Sequence, residues 1–245
     1  MGKSKELATL KDGGTIDGRL TVEGATLGST FENAAFGNGV RVEQTSYTAD
    51  NYVSLIEAPY IADYSSAGAH VRIGAKFNGS GSSLAMGTSN AYGSGITNTA
   101  LEIDNAGRVT MPKQPAFYAT FNGYSNTANT YITTYNTPSV NVGNHFSAST
   151  GIFTAPVAGI YFFGAQIMGG NTASYTQFQF QKNNSNYGSY HHSASDTGSS
   201  YRHTSGTVIM DLAVNDTCRL YYPVNRPYNS GQTTPWSSFG GYLIG

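Results

Sequence analysis

From Gly13 to Thr30 apolar and polar residues alternate between glycines, with Ile16, Leu20, Val22 and Leu27 forming a sparse apolar stripe. A period of two belongs to extended chain, whose successive side chains point to opposite faces. One such ribbon buries too little surface to be stable alone, so it is expected to intertwine with partner chains. Further on the alternation returns in short pieces at Val40–Val42, Tyr52–Ile56, His70–Phe77, Leu84–Met86 and Ala100–Ile103. Asn-Gly, Ser-Ala-Gly and Gly-Ser-Gly-Ser-Ser turns separate them. Asp104-Asn105-Ala106-Gly107 ahead of Arg108–Thr110 reads as a hairpin turn, with Gly107 where a positive φ is needed. The apolar content of this stretch is thin for a monomeric core, which predicts a small β domain or part of a trimeric shaft.

Composition sharpens the class and marks a boundary. Charged residues make up 11% of the 245, while glycine (30) and tyrosine (18) are abundant. That balance suits short strands joined by tight turns rather than long solvated helices, so the chain is read as all-β. A net charge of −1 with no basic cluster argues against a nucleic-acid binder. Residues 1–112 hold eleven of the fourteen Asp and Glu, whereas residues 113–245 hold 23 of the 31 aromatics. Met111-Pro112-Lys113-Gln114-Pro115 sits on that shift, and its two prolines make a stiff extended connector. Three segments follow: an N-terminal attachment segment and β leader (1–30), a β-rich shaft or middle domain (31–111), and a head (112–245).

The head carries a specific spacing. Asn141, Phe146, Phe153, Gly159, Tyr161 and Phe163 stand in the order Asn-x4-Phe-x6-Phe-x5-Gly-x-Tyr-x-Phe. Phe153 starts a strand after a Ser-Thr-Gly turn, Pro156 and Gly159 break it, and Tyr161 and Phe163 share one face of the next. This resembles the signature of the C1q family, a jelly roll of two antiparallel sheets related in outline to tumour necrosis factor-like proteins. Tyr135 stands where that family usually has Phe, and Ala165 where it has another aromatic. Phe178–Asn184 resembles the family's strand ending in an Asn-containing turn. Ser205–Leu220 resembles a strand, turn and strand with Asn215-Asp216 in the turn, and Ser237–Gly245, with Phe239 and Gly241, resembles the closing strand. The resemblance implies a homotrimer packed through flat, aromatic-rich sheet faces.

What precedes the head is not collagen, since no Gly-X-Y run exists. Instead Ile103–Phe117 resembles the junction before the distal head of bacteriophage fibre proteins, and Thr15–Gly24 resembles their strand-rich leaders. The opening Met1–Glu6 lacks an apolar stretch, and no run approaches the ~18 apolar residues of a membrane span. The expectation is a virion protein made in the host cytoplasm. It would be a trimeric phage fibre, held to other virion proteins through its N-terminus, whose tip binds a host-surface glycan or protein. The alternative is a structural head or neck decoration without an essential receptor role.

The single cysteine, Cys218, excludes an internal disulfide and a Cys-based zinc site, and it reads as a buried structural thiol. Candidate contact residues cluster in Tyr187-Gly-Ser-Tyr190-His191-His192, running on to Tyr201-Arg202-His203. Tyr supplies rigid amphipathic area and Ser and Gly adaptable hydrogen bonding, as in antibody loops. The stretch reads equally as a receptor loop or as an ordinary exposed connection. Arg226, Tyr228 and Trp236 form a second turn-rich candidate, in which the lone Trp fits buried packing better than sugar stacking. Adjacent His191 and His192 on a strand would face opposite ways and chelate poorly, so exposed loop histidines are expected. Some relatives bind calcium near the axis. Asp196, Asp211 and Asp216 are the carboxylates this head could offer for Ca²⁺, and no other cofactor is expected. Ser, His and Asp near residues 190–200 lie on one probable loop without a Gly-x-Ser-x-Gly elbow, and three acids cannot easily furnish a glycosidase pair. The protein is read as a binder with no enzymatic activity.

Overall fold

The structure is a computed structural model that describes residues 52–59, 69–78, 81–91, 94–121, 129–169, 175–193, 202–223 and 235–245. The leader at 1–30, the Val40–Val42 piece and the Ser-Ala-Gly turn lie outside the described residues. So do the candidates Asp196, Tyr201, Arg226 and Tyr228. Strands are the only regular elements among the described residues, so the chain is all-β.

The middle region forms one antiparallel meander of β1 (Tyr52–Pro59), β2 (Ala69–Asn78), β3 (Gly81–Thr88), β4 (Asn98–Ile103) and β5 (Val109–Thr110). The four expected pieces from Tyr52 onward are present and longer than their apolar cores. The Gly-Ser-Gly-Ser-Ser stretch is largely strand rather than turn, because pairing with β2 runs on through Lys76↔Ser83 and Phe77↔Ser82 to Asn78↔Gly81. Serines follow the pleat there because backbone bonds, not side chains, hold the hairpin end. The Asp104–Gly107 turn is as expected. Gly107 has φ +80°, and its N–H donates to the Asp104 carbonyl at 2.9 Å. Asp104 Oδ1 accepts the N–H groups of Ala106 and Arg108, both at 2.9 Å, and Arg108 closes an ion pair on Oδ2.

Among the described residues the head contains twelve strands. The first six are β6 (Ala116–Thr120), β7 (Thr130–Tyr131), β8 (Val140–Val142), β9 (Phe146–Ser147), β10 (Ile152–Thr154) and β11 (Gly159–Gly169). The rest are β12 (Gln177–Lys182), β13 (Ser185–Asn186), β14 (His191–His192), β15 (Arg202–Leu212), β16 (Thr217–Tyr222) and β17 (Ser238–Leu243). One sheet runs β15-β11-β17-β6-β8 and the other β13-β12-β16-β10-β9, with β14 on β12 and β7 on β16. This is a jelly roll of two antiparallel sheets.

Alternation explains how each strand contributes to the core. On β11, Tyr161, Phe163, Ala165 and Ile167 are buried while Ile160 and Gln166 are exposed. Facing them from the other sheet are Phe153, Phe178, Phe180, Cys218 and Leu220, each fully buried. The centre is aromatic. Phe117 stacks on Phe146 with ring centroids 4.4 Å apart and meets Phe239 edge-on at 4.9 Å. Burial pushes the Cys218 thiol well above its ordinary pKa, so it stays protonated and inert.

The signature residues acquire physical reasons. Asn141 Nδ2 donates to the Phe146 carbonyl at 2.9 Å, and the Phe146 N–H donates to Asn141 Oδ1 at 3.1 Å. The side chain thus acts as a short strand partner and fixes the five-residue spacing to Phe146. At Gly241 a Cβ would collide with the Phe163 ring and the Phe162 carbonyl, so only hydrogen fits between β17 and β11. At Gly159 it would press on Leu243 and the Gly245 carbonyl. Asn183, Asn184 and Asn215 hold positive φ in the two expected turns, the region Asn tolerates better than other side chains.

Tyr135 packs edge-on against Phe121 and Phe146, 7% exposed, and its hydroxyl has no hydrogen-bond partner. A buried orphan hydroxyl forfeits its bonds to water, and its ionisation is pushed well up by burial. Tyr135→Phe should therefore raise stability by about 1 kcal/mol and the melting temperature by a few degrees, read by thermal denaturation.

Candidate binding surfaces

The sandwich has two outer faces. The outer face of β15-β11-β17-β6-β8 follows from the register as cross-strand rows. One row reads Ile209–Phe162–Tyr242–Ala116–Val142, and the next Thr207–Gly164–Gly240–Tyr118–Val140. A third is polar, Ser205–Gln166–Ser238–Thr120. Ile209 is 60% exposed, Tyr242 49% and Tyr118 45%. Phe162 and Tyr242 touch at 5.4 Å between ring centroids. The two glycines leave a shallow trough beside an apolar ridge. With Val140 also exposed, this face carries an apolar patch of the kind that marks an interaction surface.

The expected recognition loop is differently built. The sequence predicts one connection over 187–203, but His191 and His192 form β14 on the edge of β12, and Arg202 and His203 open β15. His191 is half-buried rather than exposed. Its ring stacks on Phe178 at 5.0 Å, meets Phe180 edge-on at 5.6 Å, and lies against Gly206, where a Cβ would collide with it. The side chain thus bridges the two sheets at one end, a long-range contact that no local pattern could reveal. His192 points the other way and is exposed, as strand alternation requires. Arg202 is buried at 8% because it takes an inward position of β15, alternating with Thr204. Tyr187 is half-buried against the core, and Tyr190, 42% exposed, is open to solvent. His203 is exposed on the flat face, its Nδ1 3.3 Å from Gln166 Nε2. Trp236 is half-buried and its carbonyl accepts from Gln166 Nε2 at 3.4 Å.

Burial lowers the His191 pKa below its ordinary value. The neutral form is therefore favoured in the folded state, and the unfolded chain binds the extra proton first. Stability contributed here is complete above about pH 6.5 and is lost as pH falls through the folded-state pKa. Melting at pH 7 and pH 5 should show a larger acid loss in the parent than in His191→Phe.

Of the candidate acids, Asp216 is already committed. Asp216 Oδ2 pairs with Lys182 at 2.8 Å and accepts the Ala213 N–H, while Oδ1 accepts from Asn183 Nδ2 at 2.7 Å. The Lys182 bond first, then those of Asn183 and Ala213, hold the carboxyl down at about 2. This network ties the β12–β13 turn to the β15–β16 turn and engages both oxygens of Asp216. Among the described residues no group of three or more His, Cys, Asp or Glu is placed to hold a metal ion.

The other outer face, on β7, β12 and β16, was not among the sequence candidates. Arg219 lies over the Tyr131 ring, Cζ 3.1 Å from the centroid, and Tyr131 meets Tyr221 edge-on at 5.6 Å. Beside them Gln179 and Gln181 are buried at 2% and 4% exposure, although they point away from the core. Gln179 Nε2 donates to the Gly188 carbonyl and Gln181 Nε2 to Asn186 Oδ1.

Solved structures with similar architecture include the globular domain of zebrafish complement 1qA, at 18% identity, 54% of this chain, 98% of that one and a TM-score of 0.44. Eiger TNF from S. frugiperda matches at 10% identity, with 54% and 94% coverage and a TM-score of 0.44. Murine APRIL at pH 5.0 matches at 12% identity, with 54% and 100% coverage and a TM-score of 0.45. The C1q domain family model matches residues 116–244, more than half of the chain, and the protein belongs to that family.

Proposed function

We propose that this chain is a homotrimeric adhesion fibre of a bacteriophage, whose C1q head binds the host surface. The observation that carries the reading is the pair of apolar rows on the outer face of β15-β11-β17-β6-β8. A single protomer leaves Ile209, Tyr242, Tyr118 and Val140 in water, and burying them against copies of the same face is favourable. C1q and tumour necrosis factor-like domains are generally non-enzymatic binding or structural modules, and their relatives are homotrimeric.

The meander β1–β5 supports the same assembly. Its register aligns Ile73, Met86 and Leu101 in one row and Ala75, Leu84, Ile103 and Val109 in another, on one face. Val109 is 60% exposed, Val71 52% and Met86 40%, so one layer of sheet presents apolar side chains to solvent. Three copies packed face to face would bury them and make a shaft. The phage setting rests on the Ile103–Phe117 junction and the Thr15–Gly24 leader. Three heads on one fibre, and several fibres on a particle, would raise avidity without stronger single contacts.

Ile209→Lys tests the assembly. At this exposed site the protomer should fold with its stability within about 0.5 kcal/mol, while a charge on the packed face should leave monomers in light scattering. For adhesion, labelled trimer should bind host cells and compete with phage carrying it. Normal phage adsorption with no binding by the trimer would instead make the protein a structural decoration.

A further inference from the structure

The two-residue strand β14 crosses one end of the sandwich, and its backbone is lightly held. It pairs with β12 only through Gln177↔His192 and Phe178↔His191. Just beyond it the Ser193 N–H donates to the Thr176 carbonyl at 2.8 Å, and Ser193 Oγ accepts the Thr176 N–H at 3.0 Å. So short a pairing at a sheet edge opens more readily than long central strands do.

The His191 side chain supplies the stronger hold. Its ring lies in a notch between the sheets, walled by Phe178 and Phe180 of β12 and floored by Gly206 of β15. The glycine makes the notch, because a Cβ at residue 206 would collide with Nδ1, Cγ and Cε1 of the ring. Phe178 and Phe180 belong to the fully buried core. One ring therefore fastens the short strand to both sheets.

The notch offers a charged ring no compensation. Its β12 wall is apolar. On β15 the inward neighbours of Gly206 are Thr204 and Val208, and beyond Thr204 stands Arg202, a cation. Tyr187, ahead of β14, packs on the core, and His192 faces the other way. The carboxylates of the head among the described residues are Asp211, on the outward side of β15, and Asp216, paired with Lys182. Asp196 lies outside them. Among the described residues no acceptor bonds the His191 ring nitrogens. Burial accordingly holds the ring towards its neutral form. On a released strand water surrounds both nitrogens, so falling pH favours release.

We propose that β14 is an acid-released strap: the neutral His191 ring fastens it across the end of the sandwich, and the protonated ring leaves the notch and frees it. Release bares the β12 edge at Gln177 and Phe178, together with the Phe178 and Phe180 rings beneath. This happens beside Tyr190 and His192, which are already exposed. The device needs neither the trimer nor the adhesion reading.

Amide hydrogen exchange of the full chain at pH 7 and pH 5, expressed as protection factors, tests it. The 187–193 segment of the parent should lose about tenfold in protection at pH 5, while β11 and β16 keep theirs. His191→Phe, which refills the notch with a ring that cannot be charged, should stay protected at both pH values. Gly206→Ala, whose Cβ takes the place of the ring, should expose the segment already at pH 7. Thermal melting checks that both variants fold, and the two parent measurements decide alone if one does not. Equal protection of the parent at the two pH values overturns the strap. So does the same acid loss in His191→Phe, full protection in Gly206→Ala, or a loss shared equally by β11 and β16.

Discussion

Phe117→Ala is expected to destabilise the head by about 4 kcal/mol, the range for emptying a buried aromatic position. Phe117 is 3% exposed and touches four other rings: Phe146, Phe153, Phe163 and Phe239. These come from β9, β10, β11 and β17, so this one side chain joins both sheets. Alanine would remove the partner from each ring, and strands such as β6, β10, β11 and β17, paired on two sides, can relax little into the void. Urea denaturation at fixed chain concentration reads the effect as a lower midpoint with an unchanged slope. A loss below about 1.5 kcal/mol, the level of a volume-conserving swap, would mean the rings do not form the shared core described here.

Gly151→Ala should cost nearly as much, about 3 kcal/mol, by a different route. Gly151 holds φ +68° in the turn before β10, where an L side chain adds about 1–2 kcal/mol of strain. Its Cβ would also drive into the Ile132 carbonyl and the Tyr135 ring. The carbonyl cannot step aside freely, because the Ile132 N–H donates to the Leu220 carbonyl at 3.2 Å and holds the segment to β16. Overpacking of this kind adds about 1–3 kcal/mol. The same denaturation experiment should place Gly151→Ala well below Gly107→Ala. Gly107 also has positive φ, but nothing lies within 4 Å of where its Cβ would stand. Equal losses would mean that strain alone acts at residue 151.

These two positions mark what the sequence could and could not reveal. Alternation of apolar residues along β11, β12 and β16 exposed the core face, because a strand's two faces are written in its odd and even positions. The Asn141–Phe163 spacing was legible because the Asn141 side chain bonds the backbone five residues on. Gln179 and Gln181 were not legible. Polar residues on an outward face read as solvated, and only the pairing of β12 with β13 and β16 buries them. His191 escaped for a related reason, since its place is set by Gly206 on a strand of the other sheet. Arg202 reads as a surface cation until its inward position on β15 is known. Non-local pairing therefore decided most of the candidate surfaces, whereas local pattern decided most of the fold.

The central claim is that the flat face of β15-β11-β17-β6-β8 is covered by copies of itself. The most direct measurement is the mass of the purified chain by light scattering at micromolar concentration, beside Ile209→Lys. The account predicts three times the chain mass for the parent and a single chain mass for a folded Ile209→Lys. A parent that runs as a monomer, or an Ile209→Lys variant that keeps the parent's mass, would contradict it.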